Sequence, residues 1–126
     1  MGKVITTEKA PKAIGPYSQG IAAGNFVYTS GQLPIDAATG ELEKSDIKKA
    51  AKNSLENCRA ILEAAGLSLK DVVKTLVFMT DLSEFTAMNE VYASYFAENP
   101  PARSCIQVAA LPLGAKIEIE VVAVKA

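Results

Sequence analysis

The residue types and spacings best suited to chemistry lie in the last quarter of the chain. In "PPARSCIQV", residues 100–108, strand alternation places Arg103, Cys105 and Gln107 on one face and Ser104, Ile106 and Val108 on the other. In "KIEIEVVAV", residues 116–124, Glu118 and Glu120 share one face, opposite Ile117, Ile119 and Val121. A rigid, planar guanidinium is suited to a two-pronged bond to a substrate carboxylate, and a glutamate can position or deprotonate a water. The same residues admit an architectural reading in which Arg103 pairs with Glu118 or Glu120 across adjacent strands, an ordinary sheet device. Local pattern leaves both readings open.

The chain of 126 residues contains no histidine. That removes Ser-His-Asp and Cys-His nucleophiles, His-ligated zinc and the commonest general base near neutral pH. Any catalysis falls to carboxylates, arginine, hydroxyls, cysteine, backbone groups and water. Asn89 flanks an apolar helical stripe, where it either faces a pocket or satisfies a buried carbonyl. Cys58 falls within a helical apolar stripe and reads as core, and Cys105, with no basic neighbour but Arg103, reads as packing rather than nucleophile. "AIGPYSQG" at 13–20 and "YTSGQLP" at 28–34 combine glycine with hydroxyls. Such segments can offer N–H and O–H groups to an anion, and are equally common as turns.

Composition narrows the partners. Thirteen Lys+Arg against fourteen Asp+Glu leave a net charge of −1, without the excess of basic charge that supplies affinity for phosphates, so nucleic acid is not an expected partner. No apolar run approaches the roughly 20 residues that span a bilayer, and "MGKVITTEKAPK" has no signal-peptide core, so neither membrane association nor secretion is expected. Two cysteines without metal-site spacing fit a reducing compartment, and the cytoplasm is the expected location. No metal site is expected from these residue types.

The elements that must position these residues follow from periodicity. The chain reads as a single domain over 1–126, without repeats or a linker. "QGIAAGNFVYTSGQLP" predicts two short strands around a turn at Gly24-Asn25, the second stopping at Gly31. Ser45 can cap a helix beginning at Asp46, whose apolar face runs through Ile47, Ala50, Ala51, Ser54, Cys58, Ile61 and Leu62 to a stop at Gly66. Residues 71–80 predict a strand with both faces largely covered. Ser83 can cap a second helix running to about Ala97, ended by Pro100-Pro101, followed by strands at 103–108 and 116–125. The order ββαβαββ implies an α+β fold with two helices on one face of a sheet. The other face needs a cover, and self-association is the expected one.

Taken together, "GPYSQG", "SGQLP", "PPARSCIQVAALP" and "IEIEVVAV" resemble the Rid (reactive-intermediate deaminase) family over essentially the whole chain. The resemblance implies a chorismate-mutase-like fold assembled as a homotrimer, its sheets forming a central barrel, with clefts between subunits. It implies cofactor-free hydrolysis of 2-imino acids or their enamines, such as 2-iminobutanoate and 2-iminopropanoate, to 2-oxo acids and ammonia. The substrates would come from pyridoxal-phosphate-dependent threonine and serine dehydratases. Residue by residue, Arg103 matches the arginine that clamps the substrate carboxylate and Glu120 the glutamate that holds the attacking water. Tyr17 and Ser30 match pocket hydroxyls, Gly31 and Cys105 match lining positions, and Asn89 matches a polar pocket residue. The competing readings are a non-catalytic carboxylate-binding trimer, an endoribonuclease or translation inhibitor, and a chaperone.

Overall fold

The computed structural model describes residues 2–126. Six strands form one sheet: β1 (Lys3–Ile5), β2 (Gly20–Ala23), β3 (Phe26–Thr29), β4 (Val72–Met79), β5 (Ala102–Gln107) and β6 (Ile117–Val124). Helices α1 (Ile47–Ala64) and α2 (Phe85–Tyr95) are the two long helical elements. The strand order is β1-β2-β3-β6-β4-β5, antiparallel throughout except for the parallel β4–β5 pair at one edge. The α+β architecture and both helices match the expectation, with one strand more than expected. β1 lies in the lead-in, where three residues are too few for alternation to register.

The hairpin turn at Gly24-Asn25 forms, and Gly24 takes the left-handed φ of +60° that such a turn asks of its glycine. The helix starts differ from expectation by a residue or two. Asp46 caps α1, its carboxylate accepting from the Lys48 and Lys49 N–H groups at 2.9 and 3.3 Å, while Ser45 bonds Glu43. An acceptor one residue later reaches the same orphan donors, and ionised Asp also complements the helix dipole. Ser83 does not cap α2: a 3-10 turn over Leu82–Glu84 intervenes, with Asp81 accepting from the Ser83 N–H at 2.9 Å. α2 ends at Tyr95, two residues earlier than expected.

Both helices pack on one sheet face. Leu55, Cys58, Ile61 and Leu62 of α1 and Met88 of α2 are fully buried against Val77, Met79, Ile117 and Ile119. Complete burial of each large aliphatic side chain favours the fold by about 2 kcal/mol. β4 departs from the expectation of two covered faces. Val72, Thr75, Val77 and Met79 are buried beneath the helices, whereas Leu76 and Phe78 are only half-buried on the opposite side. The strand reads as continuously apolar because that second face is itself apolar. Register places Tyr28 beside Val122, Phe26 beside Val124 and Phe78 beside Ile106, so these side chains share the face the helices leave uncovered. Phe26, Tyr28 and Ile106 are each more than 40% exposed there.

Candidate functional site

The pairing of β4 with both β5 and β6 decides where the charged residues point. Arg103 is the register partner of Thr75, and Thr75 of Val121, so Arg103 belongs to the helix-covered face. Glu118 and Glu120 partner Phe78 and Leu76 on the open face. β4 separates β5 from β6, so Arg103 and the two glutamates are neither on adjacent strands nor on the same side. The cross-strand ion pair is therefore excluded. Among the described residues the ion pairs are Lys48–Glu90, Arg59–Glu56 and Lys116–Glu84, none of which uses Arg103.

One group of candidates gathers at the β5 edge. The Arg103 Nη1 donates to Asn89 Oδ1 at 2.7 Å, and the guanidinium carbon lies over the Tyr92 and Phe85 rings, 4.6 and 5.3 Å from their centroids. Asn89 thus points to Arg103 rather than to a buried backbone carbonyl. Cys105 follows on the same face, with its Sγ 3.9 Å from Met79 Sδ. Burial pushes the Cys105 thiol up and the Arg103 charge pulls it back in part, leaving it above its ordinary range. A neutral thiol packs and lines but is a poor nucleophile. Cys58 is inert core, its thiol raised by burial to about 12.

A second group sits where β3 ends. Gln32 and Ile119 exchange backbone bonds of 2.8 and 3.2 Å, yet Tyr28 pairs with Val122. Three residues on the β3 side therefore face two on β6, and this extra residue makes a bulge at Ser30-Gly31. Ser30 Oγ donates to the Ser18 carbonyl at 2.6 Å, and the Ser30 N–H donates to Gln19 O at 2.9 Å. These bonds tie the bulge to the loop that carries Tyr17, which is half exposed. Gly31 lies against the Glu118 carboxylate: a Cβ built on it would stand 2.6 Å from Glu118 Cδ. Only glycine permits that approach. Partial burial, and then the charge of Glu120, hold the Glu118 carboxyl above the usual carboxylate range.

Sequence reasoning singled out Glu120 as the glutamate of interest; the structure brings its neighbour Glu118 onto Gly31. The alternation of "IEIE" already put both on one face, but choosing between them required the one-residue bulge, which leaves no local signature. Phe85, Tyr92 and Thr75, which surround Arg103, are not among the candidates that the sequence offers. Their spacing of four and three residues from Asn89 on α2 was the available signal for two of them.

One chain thus presents two partial constellations on opposite sides of its sheet: Arg103, Asn89 and Cys105 on one, and Gly31, Glu118 and Glu120 on the other, with Ser30 beside Gly31 and bonded to the loop that carries Tyr17. Clefts of about 550 and 510 Å³ run beside Tyr95 on the helix side and include none of these residues. Among the described residues no group of His, Cys, Asp or Glu is placed to hold a metal, and no helix is long and apolar enough to cross a membrane.

Comparison with known proteins places the chain in a family. The family model described as Endoribonuclease L-PSP matches residues 7–125. The chain is 56% identical to the RutC family protein PH0854 of Pyrococcus horikoshii over 99% of both chains. It is 51% identical to the 2-iminobutanoate/2-iminopropanoate deaminase of Escherichia coli, again over 99% of both. The crystal structure of Escherichia coli TdcF with bound serine superposes with a TM-score of 0.94 at 50% identity, covering 98% of this chain and 99% of that one. The chain belongs to the Endoribonuclease L-PSP family, the Rid family to which its sequence motifs pointed.

Proposed function

We propose that this protein is a 2-imino acid deaminase that hydrolyses 2-iminobutanoate and 2-iminopropanoate to 2-oxo acids and ammonia, in sites formed where subunits of a homotrimer meet. The observation that carries the reading is the pair of half-sites: a guanidinium held at a strand edge and a carboxylate pair beside a glycine bulge, on opposite faces of one sheet. Each is incomplete alone. A neighbouring copy brings the second half to the first, and the apolar uncovered face, turned inward to a central barrel, supplies the driving force for assembly.

The chemistry asked of the site is modest. A protonated imine is already electrophilic, so orientation by the substrate carboxylate on Arg103 and a water held about 3 Å from the imine carbon supply most of what is needed. The carboxylate accepts a proton as the water oxygen bonds to that carbon. The proton passes to nitrogen, the C–N bond breaks, and the carbonyl forms as the carboxylate takes the remaining hydroxyl proton and hands it to the departing ammonia, which leaves as ammonium; an enamine first takes a proton at its β-carbon. Within the pair, the geometry favours Glu118 for the water, with Glu120 as its charged neighbour. The Gly31 backbone, Tyr17 and Ser30 line the same half, and Asn89 and Cys105 line the Arg103 half. Pyridoxal-phosphate-dependent threonine and serine dehydratases generate such substrates, which places the protein downstream of them, and hydrolysis itself is redox-neutral.

The test is the rate of 2-oxobutanoate formation while a threonine dehydratase generates the enamine and imine in the cuvette. Wild type should accelerate it and Arg103→Ala should not. No acceleration by the assembled protein would move the weight to carboxylate binding without turnover, and sedimentation as a monomer would remove the shared site.

A further inference from the structure

We propose that Phe85, Tyr92 and Thr75 are positioning residues that hold the Arg103 guanidinium on an aromatic shelf, so that its free N–H edge is aimed at a carboxylate ligand before the ligand arrives. The proposal rests on the reading of Arg103 as a carboxylate clamp. Phe85, Asn89 and Tyr92 follow one another on α2 at spacings of four and three residues, which puts them in a single stripe along the helix. All three reach Arg103: Asn89 by a 2.7 Å hydrogen bond, Tyr92 and Phe85 by ring faces with centroids 4.6 and 5.3 Å from the guanidinium carbon.

Tyr92 is itself fixed. It is only 5% exposed, and its hydroxyl shares a 2.7 Å hydrogen bond with the hydroxyl of Thr75, which is wholly buried. Thr75 is the register partner of Arg103 on the neighbouring strand. Tyr92 and the guanidinium it carries are therefore both anchored at paired positions of one parallel strand pair. Burial keeps the Tyr92 phenol above its ordinary range, so the shelf is a neutral ring.

The choice of partners matters as much as their place. A guanidinium has five N–H donors, and Asn89 occupies one through a neutral oxygen. A carboxylate at that position would compete with the ligand and cancel the charge. Ring faces attract the cation without consuming its in-plane donors. Among the described residues no other group takes the Arg103 N–H donors, so the arginine is immobilised with its charge uncancelled and most of its hydrogen-bonding edge unspent, and the entropy of ordering a long side chain does not have to be met on binding.

The experiment measures the dissociation constant of 2-oxobutanoate by titration calorimetry, and kcat and KM with the imine generated by threonine dehydratase, for Phe85→Leu, Tyr92→Phe, Thr75→Val and Thr75→Ser. Phe85→Leu should raise both Kd and KM by about fivefold to tenfold while kcat stays within about twofold. Tyr92→Phe and Thr75→Val should each raise them by about threefold through loss of the hydroxyl pair, and Thr75→Ser should restore wild-type values. A merely structural role would lower the active fraction and leave Kd and KM unchanged. Unchanged constants in folded Phe85→Leu and Tyr92→Phe therefore overturn the shelf. If wild type binds 2-oxobutanoate without releasing ammonia from the imine, the deaminase reading fails while the Kd series still decides the shelf. If wild type binds no 2-oxobutanoate, the clamp and its shelf fall together.

Discussion

Glu118 and Glu120 differ by one strand repeat and share a face, yet only the first lies against Gly31. If Glu118 holds the water, Glu118→Gln should lower kcat by about a hundredfold or more, the range of one positioned acid–base group, and Glu120→Gln by much less. Equal losses, or a larger loss for Glu120→Gln, would return the water to Glu120. The same substitution has a stability consequence of opposite sign. The folded-state pKa of Glu118 lies above its unfolded value, raised by burial and then by Glu120. Below the unfolded value both states are protonated and no penalty exists; as pH rises through the folded value, the folded state acquires a partly desolvated charge beside a like charge, and stability falls. Glu118→Gln should accordingly melt higher than wild type at pH 7 and show no such gain at about pH 3. A melting difference that does not change with pH would remove the burial argument.

At the scale of elements, the bulge between β3 and β6 sets the Gly31 approach. Gly31→Ala puts a methyl where the Glu118 side chain lies, 2.6 Å from Cδ and 3.0 Å from Cγ. The obstructing group is the end of a flexible side chain, so the carboxylate swings away and the backbone stays. The expected result is a kcat loss of about a hundredfold, as for a misplaced reacting group, with only a small change in melting temperature. A large stability loss would mean that the bulge itself gives way. The same element shows where sequence legibility ends. α1, the Gly24-Asn25 hairpin and the alternation within β5 and β6 were all readable, because each depends on local spacing. The relation between the faces of β5 and β6 was not, since it is transmitted through β4, which lies between them. Arg103 beside a glutamate was a natural inference from two separate strands and is wrong for one chain. Asp46 displaced Ser45 as the cap because either residue can fill that role, and β1 escaped notice because three residues carry too little pattern.

For the molecule as a whole, the placement of Arg103 on one side of the sheet and Glu118 on the other turns a geometric fact into a genetic one. If a working site takes its guanidinium from one copy and its carboxylate from the next, two inactive proteins can repair each other. Arg103→Ala and Glu118→Gln, each with little activity alone, should regain it when unfolded together and reassembled. In a ring of copies drawn at random from an equal mixture, about a quarter of the sites pair an intact arginine with an intact glutamate, and recovered activity should approach that share of wild type. No recovery from well-mixed assemblies would overturn the shared site. With recovery, two damaged alleles in one cell could complement each other, and a lesion at either residue would behave as recessive or partial according to the mixture in which it is expressed.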